Sequence, residues 1–142
     1  EEKLKAAPWY YLDPTTGIMQ TGWKYLGNKW YYLRSSGSMA TGWYQEGSTW
    51  YYLDAENGDM KTGWTYVGNK WYYLRSSGAM ATGWVKDGST WYYLNASNGD
   101  MKTGWTKVNG NWYYLNSSGA MVTGSQTIDG KVYNFASSGE WI

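Results

Sequence analysis

The sequence contains neither cysteine nor histidine. The lack of cysteine excludes disulfides and thiolate metal sites. The lack of histidine removes the commonest general base, the usual partner of a Ser or Cys nucleophile and the commonest zinc ligand. Paired carboxylates suited to glycoside hydrolysis are not identifiable, because the acidic residues fall mostly in predicted turns. We therefore expect a chain that is not an enzyme, binds no metal and uses no cofactor.

Long apolar runs and net charge are also scarce. No apolar run reaches 18 residues, so we expect no membrane insertion. The net charge is +1, with Lys interspersed among Asp and Glu, which argues against a nucleic-acid partner. Leu, Ile, Val and Phe total only 17 of 142 residues, whereas Trp and Tyr number 12 and 16. These large aromatic side chains can replace the missing aliphatic ones in a thin core.

One short motif is repeated along the chain. It runs from Gly-Trp through seven steps to Trp-Tyr-Tyr-Leu, and then to a turn ending in Gly-x-Met. The Gly-Trp tryptophans recur every 20 or 21 residues, at Trp23, Trp43, Trp64, Trp84 and Trp105. A unit this short cannot bury its apolar face alone, so successive copies must stack on one another. Stacked copies also repeat any surface site, and the motif therefore predicts several equivalent sites.

The motif divides the chain into segments. We predict a linker at residues 1–8, a truncated first repeat at residues 9–22, and five full repeats at residues 23–124, starting near 23, 43, 64, 84 and 105. Residues 125–142 break the pattern, since Ser125 stands where a Trp is expected and Val-Tyr-Asn-Phe replaces Trp-Tyr-Tyr-Leu. Repeat arrays need atypical terminal units. We predict an atypical C-terminal capping hairpin there, without a complete aromatic site.

Each repeat has the pattern of a β-hairpin. In the first full repeat, a Gly-Asn pair separates the run at residues 23–26 from the run at residues 29–33, and such pairs favour two-residue hairpin turns. This turn would set Trp23 opposite Tyr32 and Tyr25 opposite Trp30. Because side chains alternate between the faces of a strand, these four aromatics share one face. Leu33 falls on the other face, where leucines of this kind would form a thin spine between repeats.

The aromatic face is the predicted binding surface. Trp is the strongest cation–π partner, and quaternary ammonium groups are recognised by aromatic boxes. A Met recurs at a fixed place in each repeat and would add a polarizable wall. A quaternary ammonium group has no hydrogen to donate, so a box of Trp, Tyr and Met without an obligatory carboxylate suits it. The plain alternative is a structural spacer in which the aromatics only form core.

The motif elements also resemble a known family. Thr-Gly-Trp, the following Tyr-Tyr-Leu and the Ser-Gly-x-Met turn are similar to the choline-binding repeats of bacterial cell-surface proteins, from Trp9 to the end of the chain. The resemblance implies an all-β fold, a left-handed solenoid of stacked β-hairpins. It also implies choline sites between neighbouring hairpins, with two aromatics from one hairpin, a third from the next, and an adjacent Met or Leu.

Carried over by position, the resemblance implies four complete choline sites. Each site takes the Gly-Trp tryptophan and the Trp of the Trp-Tyr-Tyr run from one repeat. It also takes the second Tyr of the Trp-Tyr-Tyr run of the next repeat, and one Met. The four sets are Trp23, Trp30, Tyr52 and Met39; Trp43, Trp50, Tyr73 and Met60; Trp64, Trp71, Tyr93 and Met80; and Trp84, Trp91, Tyr114 and Met101. The pattern leaves open which Met closes which site.

Two partial sites at the ends are expected to be weak or absent. The set of Trp9, Tyr32 and Met19 lacks a Gly-Trp partner. The pair Trp105 and Trp112 lacks a third aromatic, because Asn134 stands in that place.

The resulting prediction is a non-catalytic module that attaches a surface protein or wall hydrolase to choline or phosphorylcholine. This ligand would be carried by teichoic or lipoteichoic acids on the surface of a Gram-positive bacterium, so the protein would be secreted. Some relatives pair when choline binds, and a choline-dependent dimer is therefore among the implied partners. The alternative is a glucan-binding repeat module, because related repeats in glucosyltransferases carry Gly-Trp and Tyr-Tyr-Phe patterns. The chain shows no signal peptide, and its linker-like start leads us to expect a further segment before Glu1.

Overall fold

The computed structural model describes residues 9–142 in full and the main chain of Glu2–Lys3. These residues include no helix, and so none that is long and apolar enough to span a membrane. The strands are β1 (Glu2–Lys3), β2 (Tyr11–Leu12), β3 (Gly22–Leu26), β4 (Lys29–Leu33), β5 (Gly42–Glu46), β6 (Thr49–Leu53), β7 (Gly63–Val67), β8 (Lys70–Leu74), β9 (Gly83–Asp87), β10 (Thr90–Leu94), β11 (Gly104–Val108), β12 (Asn111–Leu115), β13 (Gly124–Ile128) and β14 (Lys131–Phe135). The all-β prediction is confirmed, and the left-handed solenoid stays a prediction.

The chain divides into two compact units. The first comprises Glu1–Thr65 and Leu74–Met80, and the second comprises Tyr66–Tyr73 and Ala81–Ile142. In the first unit β1 pairs with β2, β3 with β4, and β5 with β6, all antiparallel. In the second unit β9 pairs with β10, β11 with β12, and β13 with β14. The predicted linker at residues 1–8 lies outside the described residues, except for the two residues of β1.

Two-residue turns set the register of the hairpins. The Gly-Asn turn between β3 and β4 has positive φ at both central residues, 55° and 66°, as a type I′ turn requires. Trp23 then pairs with Tyr32, and Tyr25 pairs with Trp30, as the turn chemistry predicts. The Gly-Ser turn between β5 and β6 has positive φ only at its glycine, 64°, which is the type II′ pattern. Both turn types match the right-handed twist of the strands they join.

In each of the five full repeats, the leucine that ends the Trp-Tyr-Tyr-Leu run is buried and forms the core, as the alternation of faces predicts. In each hairpin this residue also forms an isolated antiparallel bridge with the Met that follows the next turn, for example Leu53 with Met60. Burying one such side chain contributes about 1.5–3 kcal/mol. The fully buried leucines are Leu53 and Leu74 in the first unit and Leu94 and Leu115 in the second.

In five of these turns a glycine has room only for a hydrogen. Gly78 has φ +90°, a backbone conformation that favours glycine. A Cβ added to Gly78 would also collide with the side chain of Met60, whose Cε would lie 2.9 Å away. Gly119 meets Met101 in the same way in the second unit. In these turns the glycine and the preceding Met are therefore one packing element, which holds side chains such as those of Met60 and Met101 in place.

Candidate aromatic cages

One tryptophan stays exposed in the hairpin of each full repeat. In the five full repeats, the Trp of the Trp-Tyr-Tyr run leaves about two fifths of its surface accessible, between 37% and 43%. A series of exposed aromatic residues on a monomer is typical of a binding surface rather than of a core. These residues are Trp30, Trp50, Trp71, Trp91 and Trp112.

In the first unit, an exposed Trp helps to form the site that we name cage A. Trp23, Trp30, Tyr51 and Met60 line a cavity of about 380 Å³. The ring centroids of Trp23 and Trp30 lie 6.5 Å apart with their planes at 79°, and those of Trp23 and Tyr51 lie 5.0 Å apart at 64°. The steep angles turn the rings into separate walls instead of a flat stack. Such an arrangement suits a compact cation in contact with several aromatic faces.

The repeat architecture positions these walls. Trp23 and Trp30 lie on the paired strands β3 and β4, whereas Tyr51 comes from β6 in the next hairpin. The backbone N–H of Met60 donates to the backbone carbonyl of Trp30 at 2.8 Å, which fixes the Met beside that ring. Ser76 and Ser77, from the turn that contains Gly78, complete the rim of the cavity.

The second unit contains a site of the same construction, which we name cage B. Trp84, Trp91, Tyr113 and Met121 line a cavity of about 210 Å³, with Ser138 at its rim. The Trp84 and Trp91 centroids lie 6.4 Å apart at 87°, and the Trp84 and Tyr113 centroids lie 4.9 Å apart at 66°. The backbone N–H of Met121 donates to the Trp91 carbonyl at 2.8 Å. Cages A and B therefore share one geometry.

The third wall differs from the sequence prediction by one residue. Cage A contains Tyr51 where the prediction has Tyr52, and Tyr52 instead packs on Trp43, its cross-strand neighbour, at 5.0 Å. Cage B likewise contains Tyr113 where the prediction has Tyr114, which packs on Trp105 at 5.3 Å. Tyr93, predicted for the third set, packs on Trp84 at 5.0 Å.

The cause of this difference is the way in which consecutive hairpins stack. The face that carries Trp23 and Tyr32 packs against the opposite face of the next hairpin, which carries Tyr44 and Tyr51. Tyr32 stacks on Tyr44 at 4.1 Å, for example. Successive side chains point to opposite faces, so the Tyr that reaches back to the preceding hairpin is the first of the pair.

The Met of each cage lies one repeat farther along than predicted. Cage A contains Met60 instead of Met39, and cage B contains Met121 instead of Met101. The backbone N–H of Met39 donates to the Trp9 carbonyl at 2.7 Å, and that of Met101 donates to the Trp71 carbonyl at 2.8 Å. Each of these Met residues therefore accompanies a tryptophan of the preceding hairpin.

All four predicted choline sites stay predictions, and for the other two sets the structure gives only the positions of the residues. Trp43 and Trp50 lie on β5 and β6, with centroids 6.4 Å apart at 85°. Trp64 lies on β7, and Trp71 and Tyr73 lie on β8. The N–H of Met80 donates to the Trp50 carbonyl at 2.8 Å, the same link that Met60 and Met121 make.

The charged neighbours of the two cages differ. At cage A the indole N–H of Trp23 donates to a carboxylate oxygen of Glu46 at 2.7 Å. At cage B the ammonium of Lys86 lies 5.9 Å from the centroid of the Trp91 ring. The hydroxyl of Ser138 donates to the carboxylate of Glu140 at 2.5 Å and lowers the pKa of that carboxyl. Cage A thus carries an acidic neighbour on one Trp, whereas cage B carries a basic neighbour on the other.

Comparison with known families identifies the repeat. Three consecutive stretches, residues 20–62, 61–103 and 102–142, match the choline-binding repeat. The chain belongs to the choline-binding repeat family. In this choline-binding repeat chain, each of the three matched stretches is about two hairpins long. No curated protein sequence matches it.

Solved structures of choline-binding proteins resemble this choline-binding repeat chain closely. CbpJ of Streptococcus pneumoniae TIGR4 is 73% identical with a TM-score of 0.93, and the alignment covers 99% of this chain and 47% of CbpJ. CbpF in complex with ipratropium is 64% identical with a TM-score of 0.89, over 97% of this chain and 43% of CbpF. The modular autolysin LytC from Streptococcus pneumoniae is 36% identical with a TM-score of 0.73, and the alignment covers 99% of this chain and 32% of LytC. The chain therefore spans less than half the length of these relatives.

Proposed function

We propose that the chain is a non-catalytic module that attaches a surface protein or wall hydrolase to phosphorylcholine on cell-wall teichoic acids. The observation that carries the proposal is the duplicated geometry of cages A and B. The distance between the two Trp centroids is 6.5 Å in one cage and 6.4 Å in the other, and the Trp–Tyr distance is 5.0 Å and 4.9 Å. Two sites built alike on different residues support one ligand class.

The chemistry of the walls favours a quaternary ammonium group. Three aromatic rings offer π faces to a cation, and the thioether of Met adds a polarizable contact. Each cation–π contact contributes about 0.5–2 kcal/mol. Three such contacts, less the entropy lost on binding, correspond to an affinity for free choline on the order of 1 mM. Several sites on one chain facing a polymer gain on the order of 10²–10⁴ through avidity.

The relatives support the same ligand and location. CbpF has been solved with ipratropium, which is a quaternary ammonium compound. CbpJ and LytC come from a bacterium, Streptococcus pneumoniae, and LytC is an autolysin, so attachment of a wall hydrolase fits the proposal. On this proposal the complete protein is secreted and held at the cell wall. A dimer that forms when choline binds remains part of the hypothesis.

The test is a calorimetric choline titration of the full chain and of the double variant Trp30→Ala with Trp91→Ala. We expect saturable binding to the full chain and two fewer sites in the double variant. Ile18→Ala is the matched control, because Ile18 is an exposed apolar residue outside both cages. Sodium chloride at equal concentration controls for ionic strength. An unchanged number of sites in the double variant would contradict the assignment of the cages.

A glucan ligand is the competing outcome. Sugars stack on an aromatic platform and need nearby hydrogen-bonding groups, whereas a quaternary cation prefers a box with several walls. Retention on a choline-affinity column, with no retention on dextran, supports the proposal. Retention on dextran alone would replace it, and retention on neither column would leave a structural spacer.

A further inference from the structure

A third set of aromatic residues repeats the cage geometry in the second unit. Trp105 and Trp112 have centroids 6.4 Å apart at 82°, which matches both cages. Trp105 and Tyr133 have centroids 5.0 Å apart at 69°, which matches the Trp–Tyr pairs of both cages. Asn134, which led to the expectation of a weak or absent site, pairs with Ser125 across β13 and β14. The substitution at Asn134 therefore leaves the third wall in place.

The fourth wall of this set is a tryptophan instead of a methionine. The backbone N–H of Trp141 donates to the Trp112 carbonyl at 2.8 Å, the bond that Met121 makes to Trp91. Trp141 also bridges to Phe135, as Met121 bridges to Leu115. By both main-chain criteria, Trp141 occupies the Met position of the repeat.

The ring of Trp141 lies against two of the other walls, Trp105 and Tyr133. Its centroid is 5.8 Å from that of Trp105 at 63°, and 5.8 Å from that of Tyr133 at 69°. Trp141 is 48% exposed and Trp112 is 40% exposed, so both rings keep accessible surface. The ammonium of Lys107 lies 5.9 Å from the Trp112 centroid, just as Lys86 lies 5.9 Å from that of Trp91. Cage B is therefore a matched reference for this set, because it has Met121 at the position that Trp141 occupies here.

We infer that Trp105, Trp112, Tyr133 and Trp141 form a terminal cage that binds a quaternary ammonium group between four aromatic walls. This inference rests on the proposed function, since it takes the ligand chemistry of cages A and B. A fourth π face adds one cation–π contact where cage B has a thioether. One such contact corresponds to about a 2- to 30-fold gain in affinity. The terminal cage is therefore expected to bind choline more tightly than cage B.

The test follows each cage through its own tryptophan. The full chain is labelled with 5-fluorotryptophan, and the fluorine resonances of Trp30, Trp91, Trp112 and Trp141 are assigned by single Trp→Tyr substitutions. Choline chloride is then titrated, with sodium chloride as the control. We expect the Trp141 resonance to shift saturably, at a lower choline concentration than the Trp91 resonance. The variant Trp112→Ala should remove the shift at Trp141 and leave that at Trp30 unchanged.

Two outcomes overturn the inference while the proposed function stands. In the first, the Trp30 and Trp91 resonances move and that of Trp141 does not. In the second, Trp141→Met raises the choline affinity measured at Trp112, which would mean that the Trp141 ring obstructs the cage. The inference expects Trp141→Met to lower that affinity by about 2- to 30-fold. If no tryptophan resonance responds to choline, the proposed function fails together with the inference.

Discussion

Cages A and B have the same walls but different surroundings. Their ring distances agree within 0.1 Å, and each Met is held by one main-chain hydrogen bond to a Trp carbonyl. The residue opposite the exposed Trp is Tyr25 in cage A, 5.0 Å from Trp30, and Lys86 in cage B. The comparison shows that the main-chain hydrogen bonds and the turns that precede each Met set the cage geometry. The residue opposite the exposed Trp, near the hairpin turn, sets the local charge.

The largest effect is expected from a change in the packing that both cages share. Gly78→Ala adds a Cβ at φ +90° and forces Met60 out of the wall of cage A. The left-handed conformation costs about 1–2 kcal/mol for a residue with a side chain, and overpacking costs about 1–3 kcal/mol more. We expect urea unfolding to show a loss of about 2–5 kcal/mol, and choline titration to show weaker binding at cage A only.

The control for Gly78→Ala is Gly63→Ala in the same unit. Gly63 has φ +76°, but nothing lies within 4 Å of the place where its Cβ would be. Gly63→Ala should lower the free energy of unfolding only by the cost of the left-handed backbone conformation, about 1–2 kcal/mol. Equal losses in the two variants would mean that contact with the turn does not hold the Met in the wall.

A smaller effect is expected from the charges that distinguish the cages. Lys86→Gln removes a cation next to Trp91 and should raise the choline affinity of cage B by about 2- to 3-fold at low salt. Glu46→Gln keeps an acceptor for the Trp23 indole but removes the negative charge, so it should lower the affinity of cage A by a similar factor. Both changes should shrink in 0.5 M salt. Choline titrations that show the same shift at both salt concentrations would point to altered packing instead of charge.

The smallest effect concerns the residue behind each cage. Tyr44 pairs with Tyr51 behind cage A, whereas Thr106 pairs with Tyr113 behind cage B. Burial, together with a hydrogen bond to Tyr32, raises the pKa of Tyr44 to about 12. The stability gained from neutral Tyr44 is therefore complete below pH 10 and is lost as the pH rises toward 12.

Tyr44→Phe tests this prediction because Phe has no proton to lose. Urea unfolding of both proteins at pH 8 and pH 11 should show that the wild type loses more stability than the variant. Thr106→Ser, at the equivalent place in the second unit, is the control and should follow the wild-type pH dependence. An identical pH dependence of wild type and Tyr44→Phe would contradict the raised pKa.

The hairpins could be predicted from the sequence because their determinants are local. The Gly-Asn turn fixes the register of Trp23 with Tyr32, and alternation of faces buries the leucines. Glycine and asparagine at the turn meet a backbone requirement that few other residues meet. The chemical type of the cage was also predictable, since the sequence repeats Trp, Tyr and Met at fixed intervals.

The choice between Tyr51 and Tyr52 depends on contacts between hairpins, which a local pattern does not specify. Both residues are tyrosines in every full repeat, so chemistry cannot separate them. The last hairpin contains the one signal in the sequence, because it keeps Tyr133 and replaces the second Tyr with Asn134. The same stacking moves the Met of cages A and B one repeat along, and on our inference it makes Trp141 a wall of the terminal cage.

The hydrogen bond from Met60 to the Trp30 carbonyl has a consequence for mechanical load. A force that peels one hairpin off its neighbour must break this bond and pull Tyr51 away from Trp23 in the same step. A ligand held between those walls would have to be released before the hairpin could move. On the proposed function, a choline group bound in cage A would therefore oppose the separation of these two hairpins.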